Sequence, residues 1–395
     1  MVKEITPDIL YIGADDLQIE KFENQYIVPE GMAYNSYVIM DGKIAVMDTV
    51  DSRSADKWKE NLINALEDRT PDYLVVHHME PDHSSLIAWA LDSYKDMTLL
   101  ASAKAIQMLG QFFPGKDYSE RCHAVREGEE VSLGRATLRF MAAPMVHWPE
   151  VMVSYEVASG TLFSADAFGK FGALSREGFY ADEEENWACE ARRYYFNICG
   201  KYGMQVQALL RKVSELDVQR ICSLHGPVIR KDLEKYVSLY DTWSKYGVET
   251  EGVFVAYASI HGGTAEVAKK VAQMLLDRGE KKVAVSDLCY DDPAECVEDA
   301  FRYGKMVLAA CSYDAGLFPP AYEFIHHLQD KAYQNRKVAL IENGSWAPSA
   351  GRVMKEMFSS MKNVQLVGET VTIKSRLREE DIPSLEALAD AIHGC

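Results

Sequence analysis

Tyr73-Leu74-Val75-Val76-His77-His78-Met79-Glu80-Pro81-Asp82-His83-Ser84-Ser85 is an apolar run that ends in a cluster of metal-ligating side chains. Its aromatic and β-branched start predicts a strand over 73–76. Four candidate ligands, His78, Glu80, Asp82 and His83, then fall within six residues. Side chains alternate along extended backbone, so 78, 80 and 82 share one side of the loop. His83 points elsewhere and is available to a second metal. Ser84-Ser85 reads as the cap of a helix over 84–94. Alone, the stretch also reads as Asp82 and Ser84 capping that helix beside solvated histidines.

Three further places favour the metal reading. Met145-Val146-His147-Trp148-Pro149, Ser164-Ala165-Asp166-Ala167 and Ser223-Leu224-His225-Gly226-Pro227 each put a His or Asp just past an apolar strand. Singly, His147 or His225 reads as a satisfied buried histidine. Together they describe one edge of a rigid sheet carrying ligands. Strands are predicted over 35–40, 43–47, 73–76, 98–102, 137–141, 152–157 and 220–224, with helices over 55–66 and 84–94 among them. Runs of strands with interspersed helices predict an α+β sandwich.

A change of character near residue 248 separates this half, 1–248, from a second, 249–395. After it, strands over 253–257, 282–286, 305–310, 336–341 and 364–367 alternate with helices over 264–278, 294–302, 319–331 and 349–360, and a last helix covers 383–392. That order predicts an α/β domain with a doubly wound, five-stranded parallel sheet. Its first strand runs into Ser259-Ile260-His261-Gly262-Gly263-Thr264-Ala265, a Ser/Gly/Thr loop that opens a helix. Such a loop aims backbone N–H groups and hydroxyls at a phosphate. It is neither a Walker A loop nor G-x-G-x-x-G, and a tight turn without a ligand accounts for it equally well. Two later strand ends carry Ser312-Tyr313-Asp314-Ala315-Gly316 and Asn343-Gly344-Ser345-Trp346, whose Tyr313 and Trp346 offer flat faces to a ring.

Composition narrows the classes. With 42 Lys+Arg against 60 Asp+Glu the net charge is −18, which argues against nucleic acid or an anionic membrane as partner. No apolar run reaches the ~18–20 residues of a membrane span. The start Met-Val-Lys-Glu-Ile-Thr lacks a signal-peptide layout, so a cytoplasmic protein is expected. The eight cysteines contain no C-x-x-C pair, which excludes a disulfide framework and a cysteine metal site.

His78-Met79-Glu80-Pro81-Asp82-His83, followed by His147, Asp166 and His225, resembles the ligand pattern of the flavodiiron proteins within the metallo-β-lactamase superfamily. The flavin loops resemble those of flavodoxins, with Ala310-Cys311-Ser312 where Ser-Pro-Thr is common and His261-Gly262-Gly263-Thr264 where Tyr-Gly-Asn-Thr is common. Gly31–Tyr37 and Ala45–Asp51 extend the likeness over essentially the whole chain. By resemblance, the fold is a metallo-β-lactamase-like αββα sandwich followed by a flavodoxin-like domain. His78, Glu80, His147 and Asp166 then hold one iron, and Asp82, His83, Asp166 and His225 the other, with Asp166 bridging. Glu80 stands where zinc hydrolases of the superfamily carry histidine, and a hard carboxylate suits iron that changes valence. The implied activity is reduction of O2 to water or NO to N2O at a diiron site fed by FMN, with Trp148 and Tyr195 as pocket residues. The implied partners are a separate electron donor, either a rubredoxin-type protein or a reduced deazaflavin, and a second copy in a head-to-tail homodimer or a dimer of dimers. Two alternatives stand beside it, a zinc hydrolase with an accessory flavodoxin-like domain and an electron-transfer flavoprotein with an inert metal half.

Overall fold

The computed structural model of this chain describes residues 2–395, which divide into two compact units. One takes the chain up to Tyr195 and Met204–Asp241; the other takes Phe196–Gly203 and Thr242–Cys395. The sequence changes character near 248, whereas the contacts divide at Asp241/Thr242 and give the short segment Phe196–Gly203 to the second unit.

The first unit is built on two sheets. Strands Lys3–Thr6, Ile9–Tyr11, Tyr37–Met40, Ile44–Met47, Tyr73–Val76, Thr98–Ala101 and Cys122–Ala124 lie side by side in the first. Strands Glu130–Ser132, Thr137–Ala142, Met152–Glu156, Thr161–Phe163 and Arg220–Cys222 do so in the second. Alternate side chains from the two sheets, such as Tyr37, Ile39, Met47 and Val75 from one and Leu138, Phe140, Met152 and Phe163 from the other, share a single core. Helix Ala55–Leu66 turns Trp58, Leu62, Ala65 and Leu66 inward at helical spacing. The expected α+β sandwich is therefore present.

The second unit has the parallel order Val283–Asp287, Thr250–Ala258, Tyr303–Tyr313, Lys337–Asn343, Gln365–Leu366. Helices Gly263–Asp277 and Ile382–His393 pack on one face through Val267, Val271, Leu385 and Leu388. This is the expected doubly wound domain. Its second strand in sequence lies to one side of the first and its third to the other, which leaves a switch point at their carboxyl ends, where ligands of such folds bind.

Two local expectations differ. The helix over 84–94 is two pieces, Pro81–Ser84 and Ile87–Ser93. Pro81, at the first helical position, starts the turn early, and the serines do not cap the second piece; Ser84 Oγ instead donates back to the Met79 carbonyl at 2.8 Å. The last strand is also split, into Gln365–Leu366 and Val371–Ile373, both paired with Lys337–Asn343. Gly368 between them has φ +68, which extended pairing does not accommodate.

Candidate metal centre and flavin cavity

Five of the seven sequence-predicted ligands lie on loops that leave strands of the sandwich, and Asp82 and His83 lie in the short helix Pro81–Ser84. His78 and Glu80 follow Tyr73–Val76, His147 follows Thr137–Ala142, Asp166 follows Thr161–Phe163 and His225 follows Arg220–Cys222. Short polar contacts fix these loops. Asn35 Nδ2 donates to the carbonyls of Ser223 and Gly226 at 2.9 and 2.7 Å, and Tyr37 Oη donates to the Ser223 carbonyl at 2.8 Å. His77 is not among the ligands, because Asp48 binds its backbone N–H and Nδ1 while Nε2 meets Ser154 Oγ at 2.8 Å.

The structure sorts the seven residues into two groups, His78, Glu80, His147 and Asp166, and Asp82, His83 and His225. The alternation expected over 78, 80 and 82 ends at Glu80. The turn at Pro81 carries Asp82 to the second group beside His83. Asp166 serves both. Its Oδ2 is 3.4 Å from His78 Nε2 and 3.2 Å from His147 Nε2, and its Oδ1 is 3.5 Å from His83 Nε2 and 3.9 Å from His225 Nε2. Glu80 Oε2 is 3.2 Å from His78 Nε2 and 3.0 Å from His147 Nε2, and Asp82 Oδ2 is 3.2 Å from both His83 Nε2 and His225 Nε2. Donors about 2.1 Å from a common ion stand about 3.0–3.4 Å apart in octahedral or tetrahedral arrangements, so most of these gaps have the size that an ion imposes.

Hydrogen bonding supports the same fit. His78 Nδ1 donates to Glu150 Oε1 and His225 Nδ1 to the Ala33 carbonyl, each at 2.8 Å, which leaves both Nε2 lone pairs facing inward. The Nε2 atoms of His83 and His225 approach to 3.0 Å, a contact that needs a cation or proton between them. Both Asp82 oxygens and Asp166 Oδ1 are buried without a hydrogen-bond partner among the described residues. Orphaned carboxylate oxygens are costly unless a cation satisfies them.

Burial alone would keep these imidazoles neutral. Against it, Asp82 and Asp166 push His83 up to about 10, and Asp166 and Glu80 push His147 up to about 9. Burial also opposes ionisation of Asp166, yet His78, His147 and His83 hold its carboxyl well below the usual carboxylate range. The cage thus draws positive charge strongly.

The Trp148 ring meets His78 edge-on at 5.2 Å. Tyr195 is buried with its ring 5.1 Å from Tyr240, while Tyr194 carries the ring that approaches His225, at 5.6 Å. Neighbouring helical residues point about 100° apart, so only one of the two tyrosines faces a given ligand. A cavity of about 530 Å³, lined by Glu23, Tyr34 and Arg53, reaches Glu80 and Asp82. The sequence does not mark Glu23 and Arg53, which line this cavity, or Glu150, which bonds His78 across 72 positions.

In the second unit a cavity of about 560 Å³ occupies the switch point. Ser259, Ile260, His261, Gly263 and Thr264 line it from the first loop, Ser312, Tyr313 and Asp314 from the second, and Asn343, Gly344, Ser345 and Trp346 from the third. Of the other residues expected there, Gly262 supplies the left-handed turn before the helix at φ +85, Ala265 lies inside the helix, and Gly316 pairs with Tyr313. Cys311, Ala315 and Ala347 join the lining, and a fourth loop adds Ser375 and Arg376. Asn343 is a clamp between loops as well as a wall. It accepts from Ser375 N–H at 2.9 Å and donates to the Ser375 carbonyl at 3.1 Å. A helix N-terminus, hydroxyls and two exposed aromatic rings are the chemistry a flavin phosphate and ring require.

Among known proteins, the family model described as ODP family beta lactamase matches residues 32–226. The anaerobic nitric oxide reductase flavorubredoxin of Escherichia coli is 24% identical over 350 residues, covering 87% of this chain and 72% of that protein. The rubredoxin oxygen:oxidoreductase of Desulfovibrio gigas shares the fold at TM-score 0.93 and 22% identity, covering 100% of this chain and 98% of that one. The flavodiiron protein of Giardia intestinalis does so at TM-score 0.89 and 22% identity, over 99% and 96%. No helix among the described residues is long and apolar enough to cross a membrane.

Proposed function

We propose that this chain is a flavodiiron protein, an oxidoreductase reducing O2 to water, NO to N2O, or both. The observation that carries the reading is the Asp166 carboxylate, which turns one oxygen to each of two ligand groups. When bound, an iron pair and FMN supply the four electrons that O2 needs, or the two that convert a pair of NO molecules to N2O and water. His78, Glu80 and His147 would hold one metal, Asp82, His83 and His225 the other, and Asp166 would serve both. A diatomic molecule would reach the ligand cage through the cavity beside Glu80 and Asp82. Trp148 walls the ligands on the His78 side. Tyr195, with its ring on Tyr240, is assigned to packing in the same unit.

The domain assignment is in keeping with this, with residues 1–248 as the diiron domain and 249–395 as the FMN domain. Ser259–Ala265 takes the phosphate, and Tyr313 and Trp346 take the ring. Trp346 is 92% exposed, an apolar surface suited to meeting a second copy, and a head-to-tail homodimer then sets one subunit's flavin beside the other's irons. A rubredoxin-type protein or a reduced deazaflavin is the proposed electron donor, and the cytoplasm the proposed location. The zinc-hydrolase alternative has neither Glu80 nor the flavin cavity in its favour.

Anaerobically purified protein is expected to contain about two irons per chain, as a seven-donor binuclear site requires, and one FMN visible by absorbance. Such protein should consume O2 or NO when supplied with reductant. Zinc with little iron, from iron-replete cells, would overturn the reading in favour of a hydrolase.

Arg376 provides a check on the phosphate end. It lines the cavity, and its Nη1 lies 3.5 Å from Glu266 Oε2 in the first turn of the phosphate-loop helix. Arg376→Gln is expected to weaken FMN about fivefold, a modest loss because the side chain is exposed. Riboflavin, which lacks the phosphate, should bind unchanged in the same fluorescence titration. An equal loss for both flavins would place Arg376 at the ring.

A further inference from the structure

The imidazoles of the two ligand groups are backed by partners of different charge. Glu150 Oε1 accepts from His78 Nδ1 at 2.8 Å and from the Met79 backbone N–H at 2.9 Å. His225 Nδ1 donates to a neutral carbonyl, that of Ala33, and His83 Nδ1 has no partner among the described residues. Glu150 is 1% exposed, and its second oxygen, Oε2, also lacks a hydrogen-bond partner among those residues. A buried carboxylate so placed is stabilised chiefly by positive charge that reaches it through the imidazole. A carboxylate on the far nitrogen makes the inward Nε2 a stronger donor, which a carbonyl does less well.

Placement reinforces charge. Glu150 shares a short loop with His147, so the segment that supplies one ligand also clamps the strand end carrying His78 and Glu80. A single side chain thereby ties the loop that carries His147 to the strand end that carries His78. The first group has two carboxylates of its own in contact, Glu80 directly and Glu150 through His78, whereas the second has Asp82 alone. Asp166 is common to both.

We propose that Glu150 makes the two metal positions unequal, so that a divalent cation fills the His78–Glu80–His147 position first and more tightly than the Asp82–His83–His225 position. This rests on the binuclear reading given above.

The test is a titration of metal-stripped full-length chain with Co2+ alone, followed by its visible d–d absorption and by metal per chain after equilibrium dialysis. Wild-type protein is expected to take up cobalt in two resolved steps. Glu150→Gln keeps the size and the acceptor oxygen but removes the charge. It should weaken the tight step about 10–100-fold and leave the weak step in place. Asp82→Asn should do the reverse, weakening the second step and sparing the first, which identifies the steps without relying on the Glu150 variant. Equal shifts of both steps in Glu150→Gln, or no shift, with unchanged circular dichroism, would overturn the proposal. Uptake of at most one cobalt by wild type would instead remove the binuclear reading and the inequality with it.

Discussion

Asp166→Ala is expected to empty both metal positions and abolish reductase activity. Each oxygen of this carboxylate faces a different ligand group, Oδ2 toward His78 and His147 and Oδ1 toward His83 and His225. Truncation therefore removes a charged donor from two sites at once. Changing a residue that only touches a ligand already costs about 10–100-fold in metal affinity, so loss of a shared ligand costs at least that at each site. The loop should survive, because Leu224 N–H donates to the Ala165 carbonyl at 2.9 Å and Ala167 N–H to the Ser164 carbonyl at 3.1 Å, neither through the Asp166 side chain. Asp166→Asn gives the graded control. An amide presents oxygen to one group and NH2, which cannot ligate, to the other, so one position should persist with weakened affinity. Metal per chain by elemental analysis reads both variants. Two metals retained in Asp166→Ala would remove the bridging role.

How much of this molecule is legible in its sequence depends on how local each signal is. The strand Tyr73–Val76 and helix Ala55–Leu66 are legible because their apolar periodicity lies within a few residues. The seven ligands were legible because each lies just past an apolar strand, and sandwich topology brings such strand ends together. Simple alternation puts Asp82 on the side of Glu80, whereas the proline at 81 turns extended backbone into helix and carries Asp82 to His83 and His225, the group that the family resemblance implies. Glu150 carried no signal at all. Its bond to His78 spans 72 positions, and a glutamate after His-Trp-Pro has no spacing rule that marks it. Ser375 and Arg376 were missed because the strand leading to them is broken at Gly368, which left the fourth loop of the cavity without a visible start. Tyr194 and Tyr195 show the remaining limit: a tyrosine pair in a helix gives the sequence no means of deciding which ring turns toward His225.

Gly263→Ala should disable flavin binding while leaving metal content untouched. Helix propensity alone predicts the opposite sign, since alanine is favoured over glycine in a helix by about 1 kcal/mol. Packing decides otherwise. A Cβ at Gly263 would lie 2.3 Å from the Ser375 carbonyl oxygen, a backbone atom that cannot rotate away. Ser375 is itself fixed, with φ +71 and two hydrogen bonds to the Asn343 side chain, so displacing it disturbs the third loop of the cavity as well as the fourth. Overpacking of this kind costs about 1–3 kcal/mol, which outweighs the propensity gain. If the loops yield instead of the helix, that cost falls on the bound geometry and weakens FMN roughly 10–100-fold. Gly262→Ala provides the contrast. No atom lies within 4 Å of its Cβ position, and the penalty there comes from φ +85 alone, about 1–2 kcal/mol spread over a turn open to solvent. The expected order of FMN dissociation constants, from fluorescence quenching, is wild type, then Gly262→Ala, then Gly263→Ala. Iron per chain should be equal in all three, because the ligands belong to the other unit. An FMN constant for Gly263→Ala within about twofold of wild type would mean that the fourth loop moves freely, and that the phosphate is held by the first loop and the helix N-terminus alone.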